Sequence, residues 1–189
     1  MESIFVKLAQ YPSIETERLL LRPVTLDDAE AMFAYASDIE NTRYTFPTNQ
    51  SLEETQNNIA QFYLANPLGC WGIELKSTGE FIGTIDLHKI DPVLKKAAIG
   101  YIINKKYWNQ GLTTEANRAV IELAFEKIGV NKLTALHDQD NPASGKVMEK
   151  SGMRFSHEEA YACMDQHEEG RIVTRVHYVL TKEDYFANK

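Results

Sequence analysis

The stretch Ile99-Gly-Tyr-Ile-Ile-Asn-Lys-Lys-Tyr-Trp-Asn-Gln-Gly-Leu-Thr-Thr-Glu-Ala116 decides how the rest of the chain is read. It divides into a short apolar strand over 99–103, a turn carrying Trp108, Asn109, Gln110 and Gly111, and a helix that opens at Leu112 or Thr113. The first turn of a helix holds backbone N–H groups with no intrahelical partner, and the helix dipole adds partial positive charge there. A turn that enters such a helix through a glycine suits a phosphate, because no side chain blocks the backbone. Many α/β proteins make the same turn with no ligand, so on its own the stretch fits a plain connection equally well.

A second stretch, one helix and one strand later, narrows the choice. It runs Asn141-Pro-Ala-Ser144-Gly-Lys-Val-Met-Glu-Lys-Ser-Gly152-Met-Arg-Phe155. With Ile99-Gly-Tyr101 and Tyr107-Trp-Asn-Gln-Gly-Leu-Thr-Thr-Glu-Ala116, it resembles the general N-acetyltransferase superfamily (GNAT). The resemblance is closer to its ribosomal-protein N-terminal acetyltransferase branch (RimJ/RimL type), and it runs from Ile14 to about Leu180. It implies an α/β (α+β) fold in which a mixed, mostly antiparallel sheet is flanked by helices and its central strand pair is splayed. It also implies acetyl-CoA as co-substrate, with the pyrophosphate on the N–H groups of Asn109, Gln110, Gly111, Leu112 and Thr113. Ile102, Ile103, Asn141 and Ser144 complete the implied cofactor set.

Size and composition fit that expectation. At 189 residues, with 43% hydrophobic and 25% charged residues, the chain reads as one globular domain over 1–189 with a core over about 14–180. No apolar run approaches the ~20 residues that cross a bilayer, and the N-terminus lacks the parts of a secretion signal, so a cytoplasmic protein is expected. A net charge of −7 argues against nucleic acid or an anionic membrane as partner. The expected partner is an amine-bearing substrate, and a homodimer stays open. Cys70 and Cys163 stand far apart without metal-ligand spacing, so reduced thiols and no metal are expected.

Along the chain, residues 1–13 read as a peripheral arm ended by Tyr11-Pro12, and 17–24 as a buried strand. Thr25 with Asp28 opens a helix over 26–37; a loop over 38–50 follows, and Ser51 with Glu54 caps a helix over 52–64. Strands are predicted over 70–76, 80–90 and 96–103, and in the second of these Thr84, Asp86 and His88 face away from Gly83, Ile85 and Leu87. A helix over 113–127 ends at Gly129, a strand covers 132–138, a helix 142–151, and a hairpin 153–164 with 171–180 closes the chain. In the loop, Tyr44 and Phe46 are candidate substrate contacts or a seal on the core edge. The resemblance makes this region one wall of the acceptor site.

Acetyl transfer to an amine needs a route for a proton, since an α-amino group has an unperturbed pKa near ~8 and a lysine near ~10.4. It also needs a polarised carbonyl and a proton donor for the departing thiolate. The tyrosine that donates in many relatives is replaced here by Met148, while Ser144 matches the serine of the ribosomal branch. Relatives often carry glutamate before Ile-Gly-Tyr; this chain has Ala98. If the hairpin turns near Pro92 and Val93, His88 lies opposite Ala97 or Ala98, with Asp86 on the same face. His137 on an otherwise apolar strand face is a second candidate base, and a water chain to solvent a third. The expected protein is thus an acetyl-CoA-dependent N-acetyltransferase working in a ternary complex. An acyl-CoA-binding module without turnover is the alternative, and a nucleotide-binding protein is weaker because G-x-G-x-x-G is missing.

Overall fold

The computed structural model describes residues 3–189. Ser3 accepts a hydrogen bond from the Phe5 N–H and caps α1 (Ile4–Gln10). Ile4 and Leu8 lie four residues apart on one face of this helix, and both are buried in the core. The expected arm is therefore a docked helix, because one i,i+4 apolar pair is enough to seat it against the sheet. A small hairpin, β1 (Ile14–Glu15) and β2 (Leu19–Arg22), follows.

Thr25 and Asp28 form the reciprocal cap read from the sequence, and a tight turn leads into α2 (Ala29–Ala36). The stretch expected as loop holds one more short helix, α3 (Ile39–Thr42), capped by Asp38. Ser51 caps α4 (Leu52–Asn58), which continues with π winding through Ile59–Leu64. Then come β3 (Cys70–Leu75), β4 (Glu80–Asp91) and β5 (Lys96–Ile103). Next is α5 (Leu112–Glu122), prolonged as a π turn to Ile128 and closed by left-handed Gly129. β6 (Lys132–Asp138), α6 (Pro142–Lys150), β7 (Arg154–Met164) and β8 (Ile172–Thr181) complete the sheet. Thr181 caps a last helix, α7 (Lys182–Ala187), that the hydrophobic pattern does not announce.

The eight strands form one sheet in the order β1-β2-β3-β4-β5-β6-β8-β7. All neighbours are antiparallel except β5 and β6. That parallel pairing covers only Lys96↔Lys132, Ala97↔Leu133 and Ala98↔Thr134. Beyond it β5 runs on to Ile103 and β6 to Asp138, each paired on its far side alone. The strand ends are also anchored separately. The Ile103 carbonyl accepts from both Asn41 Nδ2 and Trp108 Nε1, and Asp138 pairs with Arg175 of β8. The result is an open wedge between two strands of one sheet.

Helices cover both faces. The larger core joins Ile82, Ile85, Ile99 and Leu133 to Ala116, Val120 and Ala124 of α5 and to Ile4 and Leu8 of α1. The smaller one, on the face of Thr84, Asp86 and His88, joins Met32, Tyr35 and Ala36 of α2 to Ile59 and Phe81. At the chain end Tyr185 of α7 stacks on Phe125, so packing reaches past the expected core on both sides. Leu8 is 2% exposed. Its replacement by alanine is expected to lower stability by about 2–4 kcal/mol in urea unfolding. A loss below about 0.5 kcal/mol would mean that α1 adds little to the fold.

Candidate active site

The N-terminus of α5 is built as the glycine spacing suggests. Gly111 has φ of 76°, in the left-handed region, and Asn109 is also left-handed at 59°. The first helical bond runs from the Glu115 N–H to the Gly111 carbonyl at 3.0 Å. The N–H groups of Leu112, Thr113 and Thr114 therefore have no acceptor within the helix. Arg18, from the β1–β2 turn, bonds the Gln110 carbonyl and the Glu115 carboxylate. Glu115 also accepts from the Thr16 hydroxyl and the Arg18 N–H. The first strands are thereby tied to the turn.

Asn141 stands at the start of α6, followed by Pro142, and its side chain makes no capping bond. One turn on, the Ser144 hydroxyl donates to the Tyr101 hydroxyl (3.2 Å), which donates to the Ser144 carbonyl (2.9 Å). This pair links β5 to α6 across the wedge. Burial pushes the Tyr101 hydroxyl far above its ordinary pKa, so it keeps its proton. Tyr101 was present in the sequence motif but absent from the candidate site. Its signal was a hydroxyl among Ala97, Ile99 and Ile103, all of the same strand parity. Met148, at the position of the tyrosine donor of many relatives, is 2% exposed and belongs to the core.

On the other face of the sheet, His88 pairs directly opposite Ala98, and Asp86 opposite Gly100. The His88 Nδ1 lies 2.9 Å from Asp86 Oδ2. Since a carboxylate only accepts, Nδ1 carries the hydrogen in that bond, and a neutral ring leaves its Nε2 lone pair free. Gly100 makes the arrangement fit. A Cβ there would lie 2.9 Å from Asp86 Oδ1 and 3.2 Å from His88 Cε1. Cys70 is opposite Asp86 on the remaining side, and burial, with Asp86 adding to it, pushes its thiol up to about 11. The Tyr63 hydroxyl lies 3.3 Å from Thr84 Oγ1, and burial raises it too.

His137 is placed apart from this pair. It shares one face of β6 with Leu133 and Ala135 and is buried, its Nδ1 2.7 Å from the Asp138 carbonyl. A Cβ on Gly145 would lie 2.6 Å from His137 Nε2, so the glycine lets α6 sit directly on the ring. Tyr44 and Phe46 also separate. Phe46 packs on the smaller core, whereas the Tyr44 ring carries the Arg43 guanidinium 5.5 Å from its centroid.

Arg43 begins a chain of ion pairs that sequence reasoning did not find. It bonds Asp165 at 2.8 Å and Glu168 at 3.0 Å. Arg171 joins Asp165 to Asp138 (2.9 Å) and Asp140 (2.6 Å), and His167 Nε2 is 3.1 Å from the Phe46 carbonyl. With Asn41 on the end of β5, these contacts strap the α3–α4 segment to the β7–β8 turn between the two strand ends. Apart from Arg171 and Asp165, the partners lie far apart in sequence, and charge carries no periodicity that could have announced them.

Comparison with known proteins agrees with the geometry. Residues 18–154 match the family described as acetyltransferase (GNAT) domain. The uncharacterized N-acetyltransferase YoaA of Bacillus subtilis is 36% identical over 148 residues, covering 76% of this chain and 84% of its own. The ribosomal-protein-serine acetyltransferase of Escherichia coli is 30% identical over 73 residues, 39% of this chain and 41% of its own. A GNAT-family acetyltransferase from Bacillus anthracis superposes with a TM-score of 0.80 at 27% identity, covering 90% and 99% of the two chains. The chain belongs to the GNAT acetyltransferase family and is an N-acetyltransferase. No helix of the described residues is long and apolar enough to cross a membrane.

The strap is expected to respond to acid. Burial alone would raise the Asp165 carboxyl. The N–H of His167, Arg43, the N–H of Glu168 and Arg171 outweigh it and hold the group well below the carboxylate range. A carboxyl depressed in the folded state stabilises above its unfolded value, near ~3.9, and that contribution is lost as pH falls through the folded value. Urea unfolding at pH 7 and pH 3.5 is expected to show Asp165→Asn less stable at pH 7, with a smaller loss on acidification than wild type. Parallel losses would remove Asp165 from the acid response.

Proposed function

We propose that the protein transfers the acetyl group of acetyl-CoA directly to a primary amine, of a protein N-terminus or a small molecule, within a ternary complex. The observation that carries this reading is the wedge between β5 and β6. It has the glycine-opened N-terminus of α5 after one strand, α6 after the other, and a histidine–carboxylate pair on the opposite sheet face.

The residues fit the co-substrate. The left-handed Gly111 adds no side chain of its own to the turn, and the nearest other one is the cationic Arg18, whose Nη2 is 3.6 Å from where a Cβ would lie, so the N–H groups of residues 109–113 would hold the pyrophosphate. Asn141, free of a capping bond, would hold the pantetheine amides. Ile102 and Ile103 would line the acyl end, although the Ile103 carbonyl is already shared by Asn41 and Trp108. When bound, acetyl-CoA supplies an acetyl group activated as a thioester.

Chemistry then falls to few side chains. His88 takes the proton of the acceptor ammonium on Nε2, while Asp86 holds the opposite nitrogen and steadies the charge formed. Ser144 sits beside the wedge as the donor for the leaving thiolate. Its hydrogen is engaged by Tyr101, so donation requires it to turn out of a bond worth about 1 kcal/mol. His137, enclosed beneath α6, acts in packing. The relative named for ribosomal-protein-serine acetylation supports a protein among the acceptors, and we take its N-terminal amine as the acceptor.

Two measurements test the reading. Gly111→Asp puts a side chain and a negative charge where the pyrophosphate would lie, and acetyl-CoA affinity by calorimetry is expected to fall tenfold or more; an unchanged affinity in the folded variant would remove the turn from the binding site. His88→Ala is expected to lower turnover at pH 7 by about a hundredfold. Raising the pH should recover part of it, since the amine then arrives deprotonated. If wild type, His88→Ala, His137→Ala and Asp86→Asn share one pH–rate profile, the proton leaves through water.

A further inference from the structure

We propose that the acceptor amine carries a compact apolar body, and that this body sits in the cleft beside Cys70. The inference rests on the reading of the Asp86–His88 face as the acceptor side.

The cleft lies where β2 and β3 part. Their pairing ends at Arg22↔Gly72, and beyond it Pro23 and Val24 diverge from Cys70 and Trp71. The end of α1 and the π-wound end of α4 roof the gap, leaving a cavity of about 220 Å³. Its walls include Val24, Tyr63, Leu64, Leu68 and Trp71, and among the described residues no charged side chain lines it. A cavity of about 150 Å³ takes up benzene, so this one has room for an aromatic ring with a short linker or a branched aliphatic group.

Its inner wall is also the wall of the proposed acceptor site. Cys70, Asp86 and Gly100 form one row across β3, β4 and β5. At about 4.8 Å between strands, the row spans about 10 Å from the cleft to the edge of the wedge. Tyr63 lines the cleft and stands beside Thr84 on the same face. The negative charge of Asp86 reaches both Cys70 and Tyr63. An amine spanning this row would set its ammonium on the half-exposed Asp86 carboxylate, next to His88, and its apolar end in the neutral cleft. A small polar amine would satisfy the first contact and leave the second empty.

Two sources offer that chemistry: a free aryl- or alkylamine, and a peptide whose first residue has an apolar side chain. Turnover is measured with 2-phenylethylamine against ethanolamine, and with Phe-initial against Ser-initial tetrapeptide amides. The enzymes are wild type, Leu68→Lys and Leu64→Lys. Leu68 and Leu64 are 39% and 44% exposed, so a lysine at either leaves the fold intact, which circular dichroism checks. Wild type is expected to favour the apolar member of at least one pair by about tenfold or more in kcat/KM. The arm in which it does so identifies the source, and both lysine variants should bring that ratio toward one. Equal or better use of the polar members, or a ratio unmoved in both folded variants, overturns the apolar-body assignment while leaving acetyl transfer in place. Turnover of none of the four by wild type overturns this inference, and acetyl-CoA affinity, measured separately, then decides the acetyl-transfer reading.

Discussion

Two parallel strands that stop pairing after three residue pairs set the terms for the rest of the molecule. A sheet normally satisfies every backbone group along its length, and leaving a run of them open has to be offset by anchors elsewhere. Here the offsets are specific. Asn41 and Trp108 occupy the Ile103 carbonyl, Arg171 grips Asp138, and Tyr101 bonds Ser144 across the opening. The opening is held by side-chain contacts on both of its edges rather than by flexibility.

A second constraint acts across the sheet. Gly100 lies between the wedge and the Asp86–His88 pair, and its missing Cβ lets the two side chains lie over the backbone of β5. In relatives with a glutamate before Ile-Gly-Tyr, the carboxylate would come from β5 itself. In this chain β5 offers Ala98, and the titratable group directly across the ladder is His88. Ala98 and Gly100, two residues apart on one face of β5, are the small residues that face His88 and Asp86 across the ladder.

What the sequence made legible follows physical periodicity. The bounds of β5 and β6 and the alternation of Thr84, Asp86 and His88 against Ile85 and Leu87 stood in the pattern of apolar residues. The capping signals of Thr25, Ser51, Gly111 and Gly129 were equally visible. Short helices were harder. α1 has one i,i+4 pair to declare it, and α7, with no fully buried side chain, has none. The splay could be inferred only from resemblance, since nothing in Ile99 or Ala135 says that pairing has ended. The strap was invisible, because contacts such as Arg43 with Asp165 bring together residues 122 positions apart.

The π winding at the end of α4 has a consequence of its own. Such a segment is a helix that has absorbed an extra residue without shifting the structure on either side of it. In Ile59–Leu64 the wider turn sets where the side chains of the segment point, among them Tyr63, whose hydroxyl lies beside Thr84. Deleting one residue here would restore ordinary winding with the flanking turns in place, and the side chains of the segment itself would re-aim by up to about 100° around the axis. Tyr63 would then leave Thr84 while the helix kept its Ser51 cap. Among related chains, the shape of this wall can therefore change by insertion or loss of a single residue inside a helix, with the strands beneath it untouched.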